Sequence, residues 1–215
     1  MAVTTSIDIC NMALDHLGKP SIVAFTEDSV EARKCLRQYP IARRMCLARS
    51  PWTFARKLRA LPPLATNTMT DTWAYHYDLP NDMLKLHRVL EEGQEPRANT
   101  RPVPTYIESG TIYANVEKAR LLYVWDNEET STWAALFDDV VALFLAMRMA
   151  PSMTRRKSDV ELFQGMYKVA LNEAIENDAQ QEQSTYIFDD GGYIDARDSG
   201  SDVGRRQADG SSMWE

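Results

Sequence analysis

The stretch that decides the fold is WAALFDDVVALFLAMRMA, residues 133–150. Its apolar side chains are interrupted mainly by Asp138, Asp139 and Arg148. A helix that is apolar nearly all round is typical of the centre of a helical bundle. The stretch is too short and too interrupted to span a bilayer, which requires about 20 apolar residues. We therefore expect a buried helix at the centre of the fold.

Three further segments have helical periodicity. The first is Ser6–Leu17, whose apolar stripe stops at a glycine. The second begins near Asp28 with a possible capping box, and we expect Pro40 to kink or split it. The last is expected to begin with Ser158 as its cap and to run to about Ala179. Two helices therefore precede the middle of the chain and two follow it.

The middle of the chain has the period of β-strands. In residues 73–79, aromatic and apolar residues alternate with other residues, as expected for one buried strand face. Residues 84–90 and 121–125 are further predicted strands, and residues 106–116 are predicted to form a hairpin that turns at Ser109-Gly110. Residues 51–126 are therefore predicted to be β-rich.

Together these patterns predict an α+β fold. We expect a four-helix bundle, formed by two N-terminal and two C-terminal helices, with an inserted antiparallel β-rich domain and an extended C-terminal tail. The expected boundaries assign residues 1–50 and 128–180 to the two halves of the bundle, residues 51–127 to the insertion and residues 181–215 to the tail. The tail lacks periodicity but contains apolar side chains, which is typical of a segment that orders on a partner.

Charge is distributed unevenly along the chain. Its net charge of −7 argues against a surface that is wholly devoted to DNA. Residues 32–70 contain nine Lys and Arg and no Asp or Glu, whereas residues 172–215 contain eleven acidic residues and three Arg. Such blocks can pair head to tail between copies of the chain, a contact that closes into a ring when the rotation permits. Alternatively, the charges serve only solubility, or the basic segment 33–59 binds the DNA backbone.

Three sequence segments resemble the tail tubular protein A family of short-tailed phages. The first is ICNMALDHLGKP at residues 9–20, which is similar to the end of the family's first helix. The second is SPWTFA at residues 50–55, similar to the aromatic step from bundle to sheet. The third is WAYHYDLPNDML at residues 73–84, similar to an aromatic-rich strand followed by a Leu-Pro-x-Asp turn. The resemblance covers residues 7–179.

This resemblance implies a structural virion protein rather than an enzyme. Proteins of this family form a dodecameric ring that joins the portal to the tail nozzle, and genomic DNA passes through the lumen. The chain would then be made in the host cytoplasm and reside at the head-tail interface of the virion, with no cofactor and no membrane partner. The alternative function is a DNA-binding accessory protein that uses the basic segment 33–59.

Two sets of residues are the candidates for partner binding. The first set is expected at the subunit interface and consists of Arg33, Arg37, Arg43 and Arg44. The second set supplies aromatic anchors for the portal and consists of Phe188, Tyr193 and Trp214, because buried aromatic side chains commonly dominate interface energy.

We find no sequence pattern for catalysis, cofactor binding or a metal site. The common phosphate, dinucleotide, zinc and acyl-transfer motifs are missing from the sequence. The three histidines, His16, His76 and His87, have no carboxylate or thiol at the spacing of metal ligands. The cysteines are three in number and lack a C-x-x-C pair, so we expect them to be buried thiols.

Overall fold

The structure is a computed structural model that describes residues 4–65, 69, 71–97, 100–154 and 156–186. The chain divides into two compact units, Met1–Asp178 and Ala179–Glu215. Within the second unit the described residues are 179–186, the last part of a helix. The architecture below is that of the first unit.

Four helices and six strands make up the described chain. The helices are α1 (Ser6–His16), α2 (Val30–Leu47), α3 (Ala135–Met153) and α4 (Lys157–Tyr186). The strands are β1 (Arg56–Leu61), β2 (Tyr75–Asp78), β3 (Met83–Glu91), β4 (Thr105–Glu108), β5 (Thr111–Ala114) and β6 (Ala119–Trp125). Short 3₁₀ turns at Thr53–Ala55 and Thr130–Thr132 lead into and out of the strand region.

Helix α1 confirms the first predicted helix. Thr5 is its N-cap and forms a reciprocal capping box with Asp8. The helix ends where Gly18 adopts a φ of +62°, a conformation that glycine tolerates without a Cβ clash. The Asn11 side chain then exchanges two hydrogen bonds with the backbone of Ile22, which fixes the loop against the helix.

Helix α2 corrects two details of the prediction. Ser29, not Asp28, is the N-cap, and its hydroxyl accepts a hydrogen bond from the backbone N–H of Ala32. The helix also continues through Pro40 without a break. Proline removes one backbone donor but leaves the flanking hydrogen bonds available, and packing of the apolar inner face outweighs the loss.

Helix α3 is the predicted central helix. Eleven of its nineteen residues are buried, on all sides of the helix. Its Phe137 ring packs against Trp52, Phe54 and Trp133 with centroid distances of 4.9 to 5.0 Å. This aromatic cluster joins α3 to the segment that leads into β1.

Helix α4 begins earlier and ends later than predicted. Ser158 lies inside the helix and is not its cap, and the helix extends beyond Ala179 to Tyr186. Its Phe163 ring lies 6.2 Å from the ring of His16, and its Tyr167 ring lies 5.0 Å from that of Phe144.

Two three-stranded antiparallel sheets form the strand region, with strand orders β1-β6-β3 and β2-β5-β4. The predicted strands at residues 84–90 and 121–125 are confirmed as β3 and β6, and the hairpin β4-β5 turns at Ser109 and Gly110, both with positive φ. The strand predicted at residues 73–79 is shorter, since β2 covers four residues. Strand β1 was not predicted.

The predicted four-helix bundle with an inserted β domain is wrong. Close backbone approach between described helices is confined to α1, α2 and α3, whereas α4 reaches the core through side chains such as Phe163 and Tyr167. The sheet is not a separate insertion either. Val124 of β6 belongs to the helical core, while Leu121 and Tyr123 belong to a second core between the sheets. Because alternate residues of a strand face opposite sides, β6 joins both cores and makes one structure of them.

Candidate subunit interface

The four candidate arginines of α2 do not share one face. The buried inner face of the helix includes Cys35, Tyr39 and Cys46, and Arg43 lies on that side. Arg33, Arg37 and Arg44 are exposed on the outer side. Spacings of four and seven residues, about one and two helical turns, place these three outer side chains along one stripe.

Arg43 has a structural role within the subunit. Its side chain is 8% exposed, and its guanidinium donates hydrogen bonds to Asp126 at 2.9 Å and to Glu128 at 2.6 Å. Both acceptors follow β6 in sequence, so the contact ties α2 to the end of the sheet. A buried guanidinium that is already paired is not available to a neighbouring subunit. We therefore leave Arg43 out of the candidate interface.

The three outer arginines remain accessible. Arg33 contacts Asp28 at 2.6 Å, and Arg44 contacts Asp126 at 3.4 Å. These arginine side chains are 60% and 59% exposed, and such exposed ion pairs contribute about 0–1 kcal/mol, so they exchange readily for another partner. Among the described residues no partner of Arg37 is found. The outer side of α2 therefore presents positive charge.

Apolar side chains lie between these arginines, a feature that the sequence analysis missed. Exposed apolar residues of α2 are Val30, Leu36, Ile41 and Met45, and Leu36 is 55% exposed. The helical pattern of this segment was recognised from its inner apolar stripe alone. The missed signal was that apolar residues also recur opposite that stripe, which a helix with one buried face does not require.

We call the exposed residues of this side the α2 outer face. Its exposed members are Val30, Arg33, Leu36, Arg37, Ile41, Arg44 and Met45, and the half-buried Lys34, which donates a hydrogen bond to Ser152, lies on the same side. Arginine mixed with apolar side chains is the composition that protein interfaces favour over ordinary surface.

Among the remaining cations of the basic segment 33–59, Arg49 and Arg59 are exposed, and Arg56 and Lys57 are half-buried. Lys57 of β1 donates a hydrogen bond to Asp82 at 3.0 Å and lies 3.4 Å from the centre of the Trp125 ring. Although burial opposes it, hydrogen bonds from Lys57 and Tyr123 hold the pKa of Asp82 below its ordinary value. Lys57 is therefore already paired with a carboxylate of its own chain.

The other candidate set is not described by the structure. Phe188, Tyr193 and Trp214 lie outside the described residues, as does most of the predicted tail. Residues 181–186, predicted as the beginning of the tail, belong to α4.

Groups that could support chemistry are mostly in packing positions. Burial raises the pKa of Asp138, in the first turn of α3, to about 6. His76 is buried and stacks on Tyr113 with a centroid distance of 5.8 Å. Within the described residues, no three His, Cys, Asp or Glu side chains come together as metal ligands, and no helix is long and apolar enough to cross a membrane.

The cysteines are buried thiols, as predicted. Cys10, Cys35 and Cys46 are free and fully buried. A hydrogen bond with Cys35 and burial both raise the pKa of Cys10, and burial raises the pKa of Cys46 to about 12. Thiols with raised pKa values are poor nucleophiles and poor metal ligands near neutral pH.

Comparisons with known proteins add no relatives. No protein-family model matches the chain. No curated protein matches it either. The functional argument therefore rests on the three sequence segments and on the α2 outer face.

Proposed function

We propose that this chain is a ring-forming adaptor of a phage tail, which joins the portal to the tail nozzle and lets genomic DNA pass through its lumen. The observation that carries the proposal is the α2 outer face, where apolar side chains alternate with Arg33, Arg37 and Arg44. The ring of twelve subunits, the nozzle partner and the virion location come from the resemblance to the tail tubular protein A family.

Burial of this face on a second chain would be favourable. Removal of apolar surface from water contributes roughly 25 cal/mol per Å², and Val30, Leu36 and Ile41 are all at least 41% exposed. The three outer arginines supply charge that selects an acidic partner over a basic one. We therefore expect subunit association to weaken as salt rises, because salt screens exposed charges.

The positions of the resembling segments support the same function. Trp52 is buried and stacks on Phe54 with a centroid distance of 5.9 Å at the step from α2 to β1. Asp82, in the Leu-Pro-x-Asp turn, accepts hydrogen bonds from Lys57 and Tyr123. The residues that carry the resemblance thus hold the helices and the sheets together.

The test is the mass of the purified chain, alone and mixed with the portal protein of the same virus. Light scattering or native mass spectrometry should detect a ring, alone or on the portal, at a twelve-fold multiple of the 24.5 kDa chain. A single-chain mass in both samples would overturn the proposal. Arg37→Glu should weaken assembly, whereas Arg101→Glu, at an exposed site before β4, should leave it unchanged.

The residues beyond α4 are the proposed portal-binding segment. Phe188, Tyr193 and Trp214 are its aromatic anchors, as predicted from the sequence. A truncation after Tyr186 keeps α4 whole and removes all three anchors. This truncated chain should lose portal binding, and undiminished binding would refute the assignment of the segment.

DNA binding by the basic segment 33–59 is the less well supported function. Arg43, Arg44 and Lys57 already contact carboxylates of this chain. Fewer free cations mean fewer phosphate contacts and a weaker dependence of binding on salt. A gel-shift assay with duplex DNA distinguishes the two functions, because strong, salt-sensitive binding by the single chain would favour the DNA-binding protein.

A further inference from the structure

A second face of this molecule matches the α2 outer face in length, spacing and chemistry. The exposed residues of α4 include Leu162, Met166 and Val169, and Leu162 and Val169 are 59% and 68% exposed. Glu173 and Glu176 continue the same line and are also exposed. We call these five residues the α4 outer face. All of them lie in the first unit, before Asp178.

The spacing of both faces is that of a helix-helix seam. The five residues of the α4 outer face are separated by four, three, four and three residues in sequence. Val30, Lys34, Arg37, Ile41 and Arg44 of the α2 outer face follow the same separations. Steps that average 3.5 residues keep side chains on one line, which is how two helices pack against each other in a coiled coil.

The order of charged and apolar residues on the two faces is compatible with an antiparallel direction. On α2 Val30 precedes Arg33 and Arg37, and Ile41 and Met45 follow them with Arg44 in between. On α4 the apolar residues come first and Glu173 and Glu176 follow them. Antiparallel packing places Lys34 and Arg37 opposite Glu176 and Glu173, and at the same time it places Ile41 opposite Val169. On each helix the charged group and the apolar group are separated along the axis. At a rise of 1.5 Å per residue, the midpoints of the two groups are about 12 Å apart on α2 and about 13 Å apart on α4.

We propose that α2 of one subunit packs antiparallel on α4 of a second copy of this chain. In the register that aligns both pairs, Arg37 lies opposite Glu173, and Ile41 lies opposite Val169. Because the two faces are different, the contact is heterologous and can extend around a ring. The contact rests on the proposed ring function, for which it supplies the subunit interface.

Both faces are available for this contact. In the first unit, α2 and α4 make no extended backbone approach to each other, and the residues named here are exposed in the described structure, apart from Lys34, which is half-buried and donates a hydrogen bond to Ser152. They therefore do not cover one another within one chain. The charge complementarity between Arg37 and Glu173 favours a second copy over an unrelated apolar partner.

The decisive experiment is a charge exchange in the full chain. Arg37→Glu and Glu173→Arg should each weaken self-association by about tenfold or more, since each places like charges opposite one another. The double variant with both substitutions should restore most of the association. The matched control is Arg37→Glu with Glu161→Arg, because Glu161 is exposed on α4 but lies off the face. If the control pair alone restored self-association, or if neither double variant restored it, the proposed contact would be wrong.

Crosslinking separates failure of this contact from failure of the ring. Arg37→Cys with Glu173→Cys, treated with a short bismaleimide, should give a ladder of covalent multimers, and Arg37→Cys with Glu161→Cys should not. The native cysteines are buried and do not compete. If the chains assembled but no crosslink formed between positions 37 and 173, the proposed contact would be wrong and the proposed ring would still stand. A crosslinked product that stops at two chains would support the contact and overturn the ring, and an intramolecular crosslink would overturn the contact.

Discussion

Helices α3 and α2 have nearly the same length, with nineteen and eighteen residues, yet they use their surfaces differently. Helix α3 is buried on all sides, so every face contacts another part of the same chain. Helix α2 buries one side and exposes apolar residues and arginines on the other. The difference teaches that the core of this protein is completed by α3, whereas α2 retains a face with the composition of an interface.

This contrast predicts a graded series of mutational effects. Substitutions of buried apolar residues in α3 should lower the stability of the chain most, those on the inner side of α2 should lower it less, and those on the outer side of α2 should spare folding but affect association.

The largest effect is expected for Phe137→Ala in α3. Phe137 is fully buried among Trp52, Phe54 and Trp133, so its removal leaves a cavity in the aromatic cluster. The free energy of unfolding should fall by about 3–5 kcal/mol, measured by urea denaturation. The control, Leu36→Ala on the α2 outer face, should cost less than about 0.5 kcal/mol. Equal losses for the two variants would contradict the contrast between the helices.

A smaller effect is expected for Arg43→Met on the inner side of α2. The substitution keeps most of the side-chain volume but leaves Asp126, which is 24% exposed, without its closest cation. Loss of one partner of a buried pair costs about 3–5 kcal/mol, and partial exposure of Asp126 reduces this to roughly 2 kcal/mol. Urea denaturation of Arg33→Met, which breaks an exposed pair, should show a loss of less than about 0.5 kcal/mol. If Arg43→Met left the free energy of unfolding unchanged, the ion pair between Arg43 and Asp126 would not stabilise the position of α2.

The third effect depends on pH and concerns Asp138 of α3. Burial raises its folded-state pKa to about 6 from an ordinary value of 3.8, so the folded chain holds a proton that the unfolded chain has already lost. Stability should therefore fall as pH rises from about 4 to 6 and remain lower above that range. Asp138→Asn removes this dependence and should gain roughly 2 kcal/mol relative to the unsubstituted chain between pH 4 and pH 7. Thermal denaturation at both pH values measures the gain, and an equal offset at each pH would refute it.

The smallest effect on folding is expected for Arg37→Glu on the α2 outer face. Its side chain is exposed, so the free energy of unfolding of the single chain should change by less than about 0.5 kcal/mol. Association should nevertheless weaken, because the substitution reverses the charge at the centre of the face. Urea denaturation under dissociating conditions, together with light scattering, separates the two quantities. A large loss of folding stability would place Arg37 among structural residues.

Local patterns predicted the elements whose signals lie within a few residues. The apolar stripe of α1 and its terminal glycine, the buried character of α3 and the Ser109-Gly110 hairpin were all readable from the sequence. Strand β1, RKLRAL, was missed because it has no clear apolar alternation. It becomes a strand by pairing with β6, more than fifty residues away in sequence, and such long-range pairing outweighs local propensity.

The candidate interface was partly predictable for the same reason. Its arginines were recognised from the basic block, but the sequence alone assigned Arg43 to the same group as Arg37. A shift of one helical position changes which side chains are buried, and periodicity does not resolve a shift of that size.

The sequence by itself determined the α+β class, the position of the buried helix and the separation of basic and acidic blocks, because periodicity and charge are properties of neighbouring residues. Only the tertiary structure decided that the helices do not form a four-helix bundle and that β6 joins the helical core to the second sheet. It also decided which arginine is enclosed and which is exposed. These outcomes depend on contacts between segments far apart in the chain, whose free energy comes from burial that no local pattern records.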